Sequence, residues 1–329
     1  MTIRMGKISH AYIINGEEGS GKMNLAIHFA KALQCERNNS NKAINEDGER
    51  ITVPGTACGQ CKSCKQTDSK NQPDIKYITY EKSGIGVDEI REQINDDIDI
   101  KPYSSPYKIY IVPESEKMTV QAQNALLKTI EEPPEYAIII LLTTNADTFL
   151  QTILSRCVML NIRPVKEDII KNQLTSQYGV GDYEARVAAT FSNGNPGKAI
   201  KLATSEEFKE LKQYVVGMFM SLEKGGMDII GEAIKKTGTF KKQIDEYFSL
   251  MRIWFRDILV YKATKEEDQI IFQDEYMTIE KMSQTYSFDD INDILKAIDL
   301  AESRIKSNVN FDSTIEILLL SIKEKTSGK

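Results

Sequence analysis

The stretch Ala11-Tyr-Ile-Ile-Asn-Gly-Glu-Glu-Gly-Ser-Gly-Lys-Met23 decides how the first half of this 329-residue chain is read. A short apolar run, AYII, precedes the glycine-rich loop GEEGSGKM, and a helical pattern, NLAIHFAKAL, follows it. A strand, a glycine loop and a helix in that order build an anion cradle. Backbone N–H groups around Gly19 and Gly21 converge with the helix N-terminus, and a lysine at position 22 can reach β/γ-phosphates. Gly16, Gly19, Ser20, Gly21 and Lys22 are therefore the candidate nucleotide-binding residues. The usual pattern, G-x-x-x-x-G-K-[ST], ends on a hydroxyl that holds Mg²⁺. Here that position is Met23, whose thioether cannot supply the oxygen.

Around this stretch, the segment from His10 to Arg163 alternates β-rich runs with helical patterns. Candidate strands are Ala11–Ile14, Ile75–Tyr80, Lys108–Val112, Ala137–Thr143 and Val158–Ile162. Runs as apolar as AIIILLTT predict strands buried on both faces, hence a mostly parallel sheet covered by helices and an α/β nucleotide fold. After Pro164 the pattern turns helical. Short helices are broken by Ser192-Asn-Gly-Asn-Pro-Gly197, and residues 206–325 read almost wholly as amphipathic helix. The polar, Asn- and Glu-rich stretch Arg37–Thr56 reads as an insertion or loop.

Hydrolysis of a bound nucleotide also needs an Asp at the end of a later strand to hold the metal. In Lys108-Ile-Tyr-Ile-Val-Pro-Glu114 that position is Pro113, while Glu114 remains as a candidate water-polarising base. Both departures, Met23 and Pro113, fall on Mg²⁺. Together they predict a loop that can cradle ATP or ADP without Mg²⁺-dependent hydrolysis.

Cys58-Gly-Gln-Cys61-Lys-Ser-Cys64 offers three thiolates at C-x₂-C-x₂-C spacing, enough for three corners of a tetrahedron. A closed structural site needs a fourth ligand. Cys35 leads, with His28 and Cys157 as alternatives. The metal expected is Zn²⁺ in a structural role. Ser155-Arg-Cys157 places an arginine at the rim of the fold, where Arg156 either pairs with an acidic neighbour or reaches into another subunit's phosphate site.

Forty-two Lys and Arg against forty-eight Asp and Glu give a net charge of −6, unlike a protein whose chief affinity comes from many phosphate contacts with DNA. No apolar run approaches the ~20 residues of a membrane span, and the N-terminus lacks a signal-peptide pattern. A cytoplasmic location is expected, where the five cysteines do not read as a disulfide framework and the three crowded into seven residues read as metal ligands.

The ordered set His10-Ala-Tyr12, the glycine loop 16–22, Ala57-Cys-Gly-x-Cys-x-x-Cys64, Val87-Asp-Glu-Ile-Arg91, Asn124-Ala-Leu-Leu-Lys-Thr-Ile-Glu-Glu-Pro-Pro134, Thr143-Thr-Asn145 and Ser155-Arg-Cys157 resembles bacterial clamp-loader AAA+ subunits of DNA polymerase III. Within that family it is more similar to the delta-prime branch than to the gamma/tau ATPases. Trp254-Phe-Arg-Asp257 is similar to a stretch of delta-prime C-terminal domains. The resemblance implies an AAA+ α/β domain at 1–163 with a zinc module at about 35–64, a small helical lid at 164–205 and a helical collar at 206–329.

The resemblance also implies a hetero-pentamer with gamma/tau and delta subunits that loads a sliding clamp on primed DNA, at the nucleoid-associated replisome. By position it makes Cys35, Cys58, Cys61 and Cys64 the zinc ligands, Arg156 a trans arginine finger, Asn145 the first sensor, and Lys198 a neighbour of the second sensor position. The function implied is that of a non-hydrolysing stator. The alternatives are an active gamma/tau-like ATPase and a P-loop/zinc regulatory protein outside replication.

Overall fold

The computed structural model describes residues 8–39, 55–81, 84–224 and 228–327. The chain divides into two compact units, one ending at Pro164 and the other beginning at Val165. The first carries a five-stranded sheet of β1 (Ala11–Asn15), β2 (Ile75–Tyr77), β3 (Lys108–Val112), β4 (Ala137–Thr143) and β5 (Val158–Asn161). The strand order is β2-β3-β4-β1-β5, and every pairing is parallel.

Parallel neighbours need crossovers, and the helices that make them cover both sheet faces. The two-residue alternation of β1, β3 and β4 deals side chains to two separate cores. Ala11, Ile13, Tyr110, Val112, Ile139 and Leu141 enter one of them, with Ile90, Ile94, Ala122, Leu126 and Ile130 packed opposite. Tyr12, Ile14, Ile109, Ile111, Ile138 and Ile140 enter the other, against Ala26, Ala30 and Leu33 of helix α1 (Lys22–Gln34). Both β3 and β4 are buried along their whole length, as a central strand in a doubly covered sheet must be. Each buried Ile or Leu contributes roughly 1.5–3 kcal/mol.

Two strand expectations need correction. β2 stops at Tyr77 instead of Tyr80, because Gln93 takes over the backbone of Thr79: its Oε1 accepts from the Thr79 N–H at 3.0 Å and its Nε2 donates to the Thr79 carbonyl at 2.7 Å. β5 is not covered on both faces. Among the described residues it pairs with β1 alone, and Val158 and Leu160 are exposed at the sheet edge. Of the insertion expected over 37–56, residues 40–54 lie outside the described residues.

The second unit is all-helical. A single core runs from Ile170 to Ile322, centred on the fully buried Trp254, which stacks on Phe219 with ring centroids 5.7 Å apart. Asp257 explains part of Trp254-Phe-Arg-Asp257. Its buried carboxylate accepts the N–H groups of Ile271 at 2.7 Å and Phe272 at 2.8 Å and meets Arg256 at 2.8 Å, so it ties the 270–272 segment to the helix Ile244–Thr264. The parallel α/β sheet followed by helices is the α/β-plus-helical architecture predicted from the sequence. Among the described residues no helix is long and apolar enough to cross a membrane.

Candidate nucleotide cleft and metal centre

The glycine loop leaves β1 and enters α1. Gly16 donates its N–H to the Thr143 carbonyl at 3.1 Å, which fixes the start of the loop to β4. A side chain at Gly16 would put its Cβ 2.8 Å from Ser20 Oγ and 3.1 Å from Ile162 Cβ, so the close approach needs glycine. Gly19 and Gly21 have φ of 79° and 93°, in the left-handed region, and Gly21 is the N-cap of α1. These conformations give the loop a tight, glycine-dependent turn into the start of α1. Lys22 Nζ donates to the carbonyls of Gly16 at 2.6 Å and Glu17 at 2.8 Å, so the ammonium folds back over the loop. Burial lowers the Lys22 pKa, opposed by Glu116, Glu18 and Glu17.

In front of the loop lies a cleft of about 480 Å³ lined by, among others, Glu18, Lys22, Met23, Pro113, Glu116 and Thr144. The structure therefore brings Met23 and Pro113, from separate elements, to one cleft. Met23 also packs against the core beneath α1. Glu114 has φ 46°, and its carboxylate accepts from the Tyr80 hydroxyl and from Lys117 Nζ at 2.8 Å. The hydrogen bonds from Lys117 and Tyr80 hold its pKa below the usual carboxylate range. The candidate base is thus engaged in a local cluster.

Glu116 lies in the 3₁₀ turn Ser115–Lys117 after β3, which is too short to leave a periodic signal in the sequence. One of its oxygens accepts from Thr144 Oγ1 at 2.7 Å. Asn145 sits exposed beyond β4, outside the cleft lining, where its Oδ1 accepts from the Asp147 N–H at 3.0 Å. Lys198 belongs to the second unit, in the first turn of the helix Pro196–Thr204, where its N–H donates to Asn195 Oδ1 at 3.1 Å.

The cysteines converge. Cys35 ends α1, Cys61 is the N-cap of helix α2 (Lys62–Asp68), and Cys58 and Cys64 complete the group. All four Sγ atoms lie within 4.8 Å of one another. Tetrahedral thiolates bound to Zn²⁺ at ~2.3 Å sit about 3.8 Å apart, and Cys58 Sγ is 4.0 Å from Cys64 Sγ. Backbone N–H groups surround the sulfurs: Cys58 donates to Cys35 at 3.3 Å, Cys61 to Cys58 at 3.4 Å and Cys64 to Cys61 at 3.4 Å.

Hydrogen bonds from Gln60 and Cys61 lower the Cys58 thiol to about 6, whereas burial pushes the Cys64 thiol up to about 12. The donor set and spacing fit a bound metal ion. The two alternative ligands fall away: His28 is exposed with its Nδ1 2.7 Å from the Asn24 carbonyl, and Cys157 packs against the opposite core with its thiol pushed up to about 12 by burial. Lys31, one turn before Cys35, adds a 2.6 Å ion pair to Asp68 of α2.

Arg156 follows the short helix Gln151–Leu154 and is exposed. Its guanidinium meets Glu131 at 3.0 Å and donates to the Thr152 carbonyl at 3.0 Å. Within the chain the acidic-neighbour reading therefore describes it. An exposed pair of this kind contributes about 1 kcal/mol or less, so it restrains the arginine only weakly.

A family model described as DNA polymerase III, delta subunit matches residues 1–166, and one described as DNA polymerase III, delta subunit, C terminal matches residues 231–324. DNA polymerase III subunit delta' of Bacillus subtilis (strain 168) is 27% identical over 98% of this chain and 93% of that protein. The tau subunit of the same organism is 33% identical over 60% of this chain, which spans 33% of tau. A solved DNA polymerase III gamma subunit-related protein from Thermotoga maritima aligns over 98% of both chains at 21% identity, with a TM-score of 0.38. Because the first family model spans the whole α/β unit and the second most of the helices beyond residue 230, this chain belongs to the DNA polymerase III delta-subunit family and is a clamp-loader component.

Proposed function

We propose that the chain is the delta-prime-type member of its clamp loader, a stator that does not hydrolyse ATP and offers Arg156 to a neighbouring subunit's ATP site. The observation that carries the reading is the convergence of Met23 and Pro113 on one cleft. These are the positions that supply the two protein oxygens for Mg²⁺ in an active phosphate loop, and here they present a thioether and a pyrrolidine. Glu114, the remaining candidate base, is held by Tyr80 and Lys117. The similarity to tau favours one other reading, an active ATPase, and the same two residues speak against it.

In the proposed assembly the helices of 164–205 act as a lid and those of 206–329 as a collar that joins gamma/tau and delta subunits in a pentamer. The complex, not this chain alone, engages the sliding clamp and primed DNA in the cytoplasm. Arg156 stabilises charge developing on a neighbour's γ-phosphate, an effect worth roughly 10³–10⁵ in rate where arginine fingers operate. Gly16, Gly19, Ser20, Gly21 and Lys22 form the chain's own cradle; by position in the sequence Asn145 corresponds to the first sensor and Lys198 falls near the second. The metal assigned to the four cysteines is Zn²⁺, in a closed structural site that braces the end of α1 against α2. The test is ATP turnover by the purified chain together with co-purification with gamma/tau and delta subunits. No turnover with stable assembly is expected, and turnover abolished by Lys22→Ala would decide for the ATPase.

A further inference from the structure

The cleft that faces the glycine loop carries more acidic than basic side chains. Glu18, Glu114 and Glu116 line it, and among the described lining residues Lys22 is the one cation. Glu114 is matched by Lys117. Glu116 differs. Its Oε1 is fixed by the Thr144 hydroxyl at 2.7 Å, while its Oε2 is buried with no hydrogen-bond partner. Of the carboxylates acting on Lys22, Glu116 exerts the largest influence, ahead of the loop's own Glu18 and Glu17. The ammonium is meanwhile turned onto the Gly16 and Glu17 carbonyls, so it is occupied within the loop.

A nucleotide's phosphates entering this cleft would have to draw Lys22 away from those carbonyls while standing beside a fixed, partly desolvated carboxylate. Like charges in such a setting repel strongly, since effective screening is well below that of bulk water. We infer that Glu116 is a built-in counter-anion for Lys22, which holds the glycine loop in a closed, self-neutralised state and disfavours phosphate binding. The device rests on the proposed reading of the loop as a phosphate cradle, and it makes Glu116 a specificity-determining residue of that cradle. Thr144 acts as its positioning residue, because the hydroxyl holds the carboxylate at the end of β4.

The experiment measures binding of ADP and of inorganic pyrophosphate to the full chain, without Mg²⁺, by calorimetry. Glu116→Gln keeps the side-chain size and an oxygen that can accept from Thr144 but removes the charge. It is expected to bind at least about tenfold more tightly than the unaltered chain. The difference should shrink as salt rises. Glu116→Ala should show the same gain, and adding Lys22→Ala should abolish it. If the unaltered chain binds as tightly as the Gln variant, the counter-anion role is overturned while the cradle stands. If neither the unaltered chain nor either Glu116 variant binds, the counter-anion role and the cradle reading both fail.

Discussion

Replacing Cys35 with Ala removes the ligand that joins the end of α1 to the C-x₂-C-x₂-C loop. Cys35 and Cys58 are 23 positions apart, and a metal held by both closes the intervening chain into a loop. Cross-linking entropy for a loop of that size is worth about 3 kcal/mol. The small cavity left by a buried thiol and the loss of its bond from the Cys58 N–H add to this. For a unit of this size the loss corresponds to a fall of about 10 °C in melting temperature.

The assay pairs elemental analysis with thermal unfolding of the full chain, and Cys157→Ala serves as the comparison. The expected result is one Zn²⁺ per unaltered chain, a substoichiometric ion and a lowered transition in Cys35→Ala, and full metal content in Cys157→Ala. A chelator should reproduce the Cys35→Ala shift, because a structural metal contributes its binding energy to folding. Full metal content with an unchanged transition in Cys35→Ala would refute the assignment of Cys35 as the fourth ligand. A chain purified without stoichiometric metal would refute the zinc site itself.

Two further outcomes follow from the first unit's ion pairs. Lys108 is buried, and its ammonium meets Asp97 Oδ2 at 2.8 Å, so Asp97→Asn should cost about 2–3 kcal/mol in denaturant unfolding. Burial would raise the Asp97 pKa, yet hydrogen bonds from Lys108, Lys76 and Tyr110 hold it below the usual carboxylate value. With the folded value depressed, its stabilisation is fully present above the unfolded pKa near 3.8 and is lost as pH falls through the folded one, so the unaltered chain and Asp97→Asn should converge in stability only at strongly acidic pH. Glu131→Gln breaks an exposed pair with Arg156 and should shift stability by less than about 1 kcal/mol; a larger loss would mean that Arg156 is a structural strut.

Much of the α/β unit was legible because its signals are local and redundant. The alternation of AIIILLT feeds two cores, and a parallel strand buried on both faces must be apolar throughout. Gly16, Gly19 and Gly21 were legible because each meets a backbone demand that only glycine satisfies cheaply. The three-cysteine spacing was equally plain and Cys35 already led as the fourth ligand, but the meeting of all four sulfurs is a tertiary fact that only the fold displays. The early end of β2 was illegible for the same reason: Gln93, well away in sequence, takes the hydrogen bonds of Thr79. Glu116 and the Tyr80–Glu114–Lys117 cluster were missed because segments this short leave no period, and only the fold shows Glu114 and Glu116 lining the cleft and Tyr80 meeting Lys117.

The proposed division of labour, in which this chain lacks its own Mg²⁺ ligands and lends an arginine to a neighbour, can be tested in one assembly. The direct measurement is ATP turnover by the reconstituted clamp loader carrying either the unaltered chain or Arg156→Ala, with assembly checked by gel filtration. Intact assembly is expected, with a loss of about 10³-fold or more at the one site that faces this chain, seen as the loss of that site's share of total turnover. Unchanged turnover in a fully assembled Arg156→Ala complex would contradict it.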